Sequence, residues 1–258
     1  MNNLMLTHPT IDLLRTLRLH GMADAYAQQR GQPDIEVHSF DERLAFLVDR
    51  ETTDRESRRL TNRLQKARLR QQATLADLDY SAARGLDKTV LRALAQNRWV
   101  REHQNLLIVG ATGTGKTYLA CALAHSACLA GHTIRYHRLS RLLAELLLAR
   151  ADGTYPKRIL DLARADVLVL DDFGLTPITD AARTELFEIL EDRHGHKSTV
   201  LTSQLPIAAW HEAVGEATVA DAILDRLVHD SHRIDLKGDS LRRRRVPAPN
   251  PTEEPTPK

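Results

Sequence analysis

With 258 residues, 42% of them apolar and 27% charged, the chain has a globular composition and can bury one α/β core of roughly 150–200 residues plus a smaller accessory region. A net charge of +2 gives no whole-chain sign of a nucleic-acid binder, so any such role must come from how the charge is distributed. The opening stretch lacks the basic start and apolar core of a signal peptide, and no apolar run approaches the roughly 20 residues that span a bilayer, so no membrane partner and a cytoplasmic location are expected.

In chain order, the first hundred residues read as helix. Ile11, Leu14 and Leu17 fall at helical spacing, with Gly21 expected to interrupt or end that segment. Gly31-Gln32-Pro33-Asp34 is a break. Ser39 followed by Glu42 makes a capping box, which starts a helix expected to run to about Ala73, with Thr52-Thr53 as a potential break. A further helix is expected from Asp87 to Val100. At Asn105 the pattern changes to short apolar strands alternating with helices. Strands are expected at Leu106–Val109, Thr133–His137, Val167–Leu170, Thr199–Thr202 and His232–Leu236. Helices are expected at Lys116–Leu129, stopped by Gly131, and at Leu139–Ala149, Asp180–Asp192 and Ala220–Val228. Such alternation implies a parallel sheet covered on both faces. Cys121 and Cys128 share a helix face and are expected to be buried thiols rather than a disulfide or metal pair. From Val246 onward there are five prolines in thirteen residues, the composition of a disordered tail. The expected division is a helical region over 1–76, an α/β domain over 77–245 and the proline-rich tail over 246–258.

The chemistry is concentrated after the first strand. Gly110-Ala111-Thr112-Gly113-Thr114-Gly115-Lys116-Thr117 follows a strand and opens a helix, the setting of a phosphate-binding P-loop. Glycines let successive N–H groups face phosphate oxygens, and the helix N-terminus adds unpaired donors and a favourable dipole. Lys116 is expected to reach the β- and γ-phosphates of ATP, and the Thr117 hydroxyl to hold Mg²⁺. The second half of the site is Val167-Leu168-Val169-Leu170-Asp171-Asp172, with Asp171 lying 55 positions after Lys116. Asp171 is the expected metal ligand. Asp172 is expected to orient or deprotonate the attacking water. The strand ending in Ser203-Gln204 would place a polar side chain between the two halves, Gln204 first and Ser203 as the alternative. No guanine-reading Asn/Thr-Lys-x-Asp motif is present, and no segment offers the lid of a small-molecule kinase. The histidines show no metal-ligand spacing; His229 and His232 lack companions.

Charge is gathered on the long N-terminal helix. Between Arg55 and Arg70 seven basic residues face one acid, Glu56. Arg55, Arg59, Arg63, Lys66 and Arg70 recur every three or four residues as a stripe suited to DNA phosphates, with salt-sensitive and largely sequence-independent binding. A partner protein's acidic face is the competing reading. Arg242 to Arg245 form a second basic run.

Asp79-Tyr80-Ser81-Ala82-Ala83-Arg84-Gly85-Leu86-Asp87, the P-loop, Leu170-Asp171-Asp172-Phe173-Gly174, Thr202-Ser203-Gln204-Leu205-Pro206 with Trp210, Ile223-Leu224-Asp225-Arg226-Leu227 and Gly238-Asp239-Ser240-Leu241-Arg242 together resemble the IstB-type transposition helper ATPases. These are AAA+ proteins related to DnaC-like helicase loaders. The resemblance covers about two-thirds of the chain, from Asp79 to Arg242, and implies an AAA+ P-loop fold with a five-stranded parallel sheet preceded by a small all-helical domain. It implies ATP hydrolysis with Mg²⁺, a homo-oligomer with ATP between subunits, and a helper that assembles on DNA to prepare or select the target for the transposase of the same mobile element. A replicative helicase loader and a non-hydrolysing nucleotide-gated scaffold are the alternatives. It also implies that Arg226 is an arginine finger reaching the neighbour's γ-phosphate and that Arg242 is a second nucleotide sensor or part of a DNA grip. One departure stands out: most AAA+ proteins place Glu where this chain has Asp172. The shorter side chain implies slow hydrolysis, as suits a timer.

Overall fold

The computed structural model describes residues 8–78, 80 and 85–241, which gather into two compact units, Met1–Gln65 and Lys66–Lys258. The expectations for Asp79, for Ser81 to Arg84, for Arg242 to Arg245 and for the proline-rich tail lie outside the described residues.

The first unit is helical: α1 (Pro9–Thr16), α2 (His20–Arg30), a 3₁₀ turn at Ile35–Val37, and most of α3 (Phe40–Ala67). Pro9 suits the first turn of α1, where its missing N–H costs nothing. The chain turns between α1 and α2 at Arg18, in the left-handed region at φ 60°. Gly21 does not end a helix, contrary to expectation; it sits inside α2 because α3 passes too close for a side chain. A Cβ there would lie 2.7 Å from the Arg50 carbonyl oxygen and 2.8 Å from Glu51 Cα. Glu51, almost wholly buried, accepts from the Met22 N–H at 3.1 Å and from Arg55 Nε at 2.6 Å. Burial pushes its carboxyl up, but these hydrogen bonds outweigh burial and hold it below the ordinary glutamate range. The carboxylate thus satisfies orphan donors at the start of α2 from outside the helix.

The capping box of α3 forms as expected: Ser39 N–H donates to Glu42 at 2.8 Å, and Glu42 N–H to Ser39 Oγ at 3.3 Å. The helix runs unbroken through Thr52-Thr53, where Thr52 Oγ1 donates back to the Val48 carbonyl at 3.0 Å. It stops at Ala67 rather than near Ala73, because Arg68 takes φ 51°. Arg70 is therefore off the helix and is no member of the stripe, which reduces to Arg55, Arg59, Arg63 and Lys66 on one helix.

The second unit holds α4 (Lys88–Ala95), α5 (Arg98–Arg101), β1 (Asn105–Gly110), α6 (Lys116–Leu129), β2 (Ile134–Arg138), α7 (Leu139–Asp152), α8 (Tyr155–Arg164), β3 (Val167–Phe173), α9 (Asp180–Arg193), β4 (Ser198–Ser203), α10 (Trp210–Val214), α11 (Ala217–Val228) and β5 (Ser231–Leu236). The helix expected over 87–100 is broken by Asn97, left-handed at φ 55°, a conformation asparagine tolerates. The sheet order is β2-β3-β4-β1-β5, with every pairing parallel. The three inner strands read as unbroken apolar runs because helices cover both faces: Leu106, Leu107, Ile108, Leu168, Val169, Leu170, Val200 and Leu201 are fully buried. Each such side chain contributes about 1.5–3 kcal/mol relative to exposure. Edge strand β5 instead alternates, burying Ile234 and Leu236 alone. Cys121 and Cys128 are buried free thiols. Arg193, also buried, donates to the carbonyls of Leu162, Ala165 and Ser198 and ties the end of α8 and the residue after it to the start of β4. Burial lowers its pKa only to about 9, so the guanidinium is charged at neutral pH. Among the described residues no helix is long and apolar enough to cross a membrane.

Candidate nucleotide site

Because every strand runs the same way, the C-terminal ends of β1, β3 and β4 open at one edge of the sheet, and β4 lies between the other two. The loop after β1 therefore faces the acidic end of β3 across the end of β4, the crevice where open α/β sheets bind ligands. A cavity of about 420 Å³ lies there, within the range of small-ligand sites. Residues Thr112 to Thr117, Asp172, Gln204 and Arg70 form its polar wall, and Leu78, Leu86, Leu236 and Leu241 an apolar one.

The loop is fixed by backbone needs. Gly113 has φ 86°, and a Cβ there would fall 2.1 Å from Ser240 Oγ; the Leu241 N–H donates to the Gly113 carbonyl at 3.0 Å. Only glycine fits beneath that crossing segment. Lys116 opens α6 and turns its ammonium back on the loop, donating to the carbonyls of Gly110 at 2.6 Å and Ala111 at 2.8 Å. Thr117, one residue on, places its hydroxyl 3.0 Å from both carboxylate oxygens of Asp171.

Asp171 is fully buried and surrounded by donors. Besides Thr117, the hydroxyls of Tyr136 and Thr202 each donate to it at 2.5 Å. Burial, then the hydrogen bond and charge of Asp171, push the Tyr136 phenol far above its ordinary range, so it stays a donor. Asp172 adopts φ 65° at a register shift where β3 carries an extra residue against β4. Its N–H donates to Thr202 Oγ1 at 3.1 Å. One threonine hydroxyl thus accepts from Asp172 and donates to Asp171, which fixes both acids. The Asp172 carboxylate faces Arg138 Nε at 3.2 Å. The left-handed backbone favours a short polar side chain here, a physical reason for Asp in place of Glu.

Gln204 accepts from Thr112 Oγ1 at 2.6 Å and so bridges β4 to the phosphate loop. Ser203 does not reach the cavity: its hydroxyl donates to the Phe173 carbonyl at 2.9 Å and accepts from Leu205 N–H at 3.0 Å, so it fastens the strand ends and is withdrawn as a contact. Arg226 lies on α11 near the opposite ends of the strands, where Asn105 at the start of β1 donates to its carbonyl at 2.8 Å. Its guanidinium pairs with Glu191 and stacks 4.8 Å from the Phe187 ring, away from its own chain's P-loop. Arg242 lies outside the described residues. Arg70, expected on the basic stripe, instead stands 3.5 Å from Asp171 and 3.7 Å from Asp172.

The residues that sequence reasoning missed are Tyr136, Arg138, Thr202 and Arg70. Tyr136 and Arg138 alternate on β2, and Arg138 pairs in register with Asp171, a signal that appears only once β2 is known to lie beside β3. The donor set suits a hard cation: a threonine hydroxyl and carboxylate oxygens are magnesium ligands. Among the described residues no cluster of three or more His, Cys, Asp or Glu side chains suggests another metal centre.

A model of the IstB-like ATP binding protein family matches residues 12–247. A putative insertion sequence ATP-binding protein of Sinorhizobium fredii is 49% identical over 239 residues, spanning 93% of this chain and 98% of its own. The IS21 putative ATP-binding protein of Pseudomonas aeruginosa is 34% identical over 233 residues, spanning 89% and 87%. Among solved structures, the DnaC helicase loader superposes with a TM-score of 0.56 at 23% identity, over 64% of this chain and 97% of that one. AMPPCP-bound DnaA from Aquifex aeolicus gives 0.55 at 19% identity, over 68% and 53%. These structural likenesses carry the fold alone, and with the five-stranded parallel sheet they make it an AAA+ P-loop fold. A match over nine-tenths of the chain, with relatives at 49% and 34% identity, shows that the chain belongs to the IstB-like ATP binding protein family.

Proposed function

We propose that this chain is a magnesium-dependent ATPase that assembles on DNA as a helper to a transposase. The observation that carries the reading is the approach of Thr117 on the phosphate loop to the buried Asp171, with Asp172 alongside. Bound Mg²⁺ would neutralise charge developing on the phosphates. Thr117 and Asp171 would hold it. Lys116 leaves the loop carbonyls for the β- and γ-phosphates, while the loop N–H groups and the N-terminus of α6 bind their oxygens. The leucines of the apolar wall suit the flat face of adenine.

Asp172 takes the proton of the attacking water, or orients it, once Arg138 releases its carboxylate. Gln204 positions the γ-phosphate or that water. Arg226, remote from its own P-loop, supplies positive charge to the nucleotide of a neighbouring copy, so hydrolysis depends on a homo-oligomer; Arg242 is a second sensor or a DNA contact. Arg55, Arg59, Arg63 and Lys66 on α3 meet DNA phosphates. The names of the insertion-sequence relatives support a mobile element's transposase as the partner, and a cytoplasmic site of action follows from that role.

Steady-state phosphate release, with and without duplex DNA, tests the reading. The parent protein is expected to hydrolyse ATP slowly and faster on DNA, Asp172→Asn to bind ATP without turnover, and Arg226→Ala to lose both assembly and turnover. An Asp172→Asn protein that hydrolyses like the parent removes Asp172 from the chemistry.

A further inference from the structure

Arg70 combines three features that neither the stripe nor the P-loop explains. The first is anchoring. Its segment is held at both ends by Ala67 and Ala73, which are buried. The backbone that carries Arg70 is thus held from both sides.

The second is placement. The guanidinium contacts both acids, Asp171 Oδ2 at 3.5 Å and Asp172 Oδ2 at 3.7 Å, and lines the same cavity as Lys116, Thr117 and Gln204. Its side chain is 42% exposed, so it stands on the cavity wall with room to swing. Its guanidinium is charged at any working pH.

The third is charge balance. Asp171 and Asp172 bring two negative charges, and Arg70 with Arg138 matches them. A divalent cation on Asp171 would leave Arg70 facing two added positive charges at short range, which is repulsive in a partly buried site. The guanidinium then has one favourable place to turn: the cavity it lines, where nucleotide phosphates bring the compensating negative charge.

Resting on the reading of this cavity as an Mg–ATP site, we propose that Arg70 exchanges its carboxylate partners for the terminal phosphate of the nucleotide when the metal enters, so that it opposes metal binding alone and favours a triphosphate over a diphosphate. No bond is made or broken in this exchange; one cation changes partners. Arg70 is a binding residue supplied by the segment that follows α3 in the same chain, separate from any arginine a neighbour contributes.

The experiment measures two affinities whose changes should have opposite signs. Full-length Arg70→Gln and Arg70→Lys proteins are compared with the parent by electron paramagnetic resonance titration of Mn²⁺ without nucleotide. Calorimetry with Mg²⁺ then compares adenylyl imidodiphosphate with ADP. Losing one charge-assisted contact predicts that Arg70→Gln binds the triphosphate analogue about tenfold more weakly, ADP within about twofold of the parent, and Mn²⁺ alone more tightly. Arg70→Lys keeps the charge but not the planar guanidinium that can grip a phosphate through two nitrogens, so it shows the same signs at smaller amplitude and carries the test if the glutamine protein is unstable. Triphosphate and diphosphate weakened alike, or Mn²⁺ affinity unchanged or lowered, overturns the exchange, since a merely structural Arg70 would produce that pattern. A parent that binds neither nucleotide overturns the Mg–ATP reading itself, and that failure is visible before any variant is made.

Discussion

In the Lys66–Lys258 unit the bulky aliphatic residues of three inner strands lie fully inside, whereas in the Met1–Gln65 unit Leu13, Leu17, Val37, Phe40, Phe46 and Val48 are exposed. What the smaller unit buries instead is small or polar: Ala23, Ala25, Gln29 and Glu51, with Ile11. One unit is held by apolar area removed from water, the other by close helix approach and an anchored carboxylate. The difference teaches that the two should fail for different reasons. The sheet tolerates surface change and punishes lost volume or lost donors in its interior. The helical unit is small enough to be marginal and depends on particular atoms at the crossing of α2 and α3.

The largest effect is expected at Arg193. Arg193→Met strips the carbonyls of Leu162, Ala165 and Ser198 of their donor and should cost on the order of 4 kcal/mol in urea unfolding of the larger unit. A loss under about 1 kcal/mol would mean that water replaces the guanidinium and that this interior is less dry than its burial indicates. Next comes Gly21→Val, which drives a side chain into α3 and should lower the stability of the smaller unit by about 2–3 kcal/mol. Calorimetry should then show an early transition for that unit and an unmoved one for the sheet.

Glu51→Gln should cost about 1–2 kcal/mol, with a pH signature. The folded carboxyl lies below the ordinary glutamate value of 4.5. Its contribution is therefore complete above about that pH and is lost as pH falls through the lower folded value. Melting of the parent below pH 4.5 should converge on that of the variant; a constant gap would contradict the anchor. Ser39→Ala removes half of the capping box and should cost about 1 kcal/mol. Phe46→Ser, on the exposed face, should change stability by less than about 0.5 kcal/mol. A larger loss on dilution-independent melting would break the comparison by showing that the residue is covered.

The same contrast governs how much could be read from the sequence. The inner strands were legible because burial on both faces leaves no alternation to misread, and the P-loop because its glycines answer a local backbone demand. The capping box was legible for the same local reason. Helix α8, absent from the expected elements, carried a signal in Gly153 before it, Pro156 in its first turn and Tyr155, Ile159 and Leu162 at i, i+4, i+7 spacing. The stop at Arg68 carried no signal, since an arginine at φ 51° is held there by tertiary packing rather than by its own preference. That one turn moved Arg70 from a basic stripe to the acidic end of β3. Likewise Tyr136, Arg138 and Thr202 join the site only through strand order, which no single segment encodes.

The central claim is that Lys116, Thr117 and Asp171 form one site for a magnesium nucleotide, and calorimetric titration of ATP into the parent and Lys116→Ala proteins, with Mg²⁺ and again with a chelator, tests it most directly. The parent should bind with Mg²⁺ and lose much of that affinity in chelator, and the alanine protein should bind poorly in both. ATP affinity absent from the parent with Mg²⁺ present, or untouched by the loss of the lysine, would contradict the account.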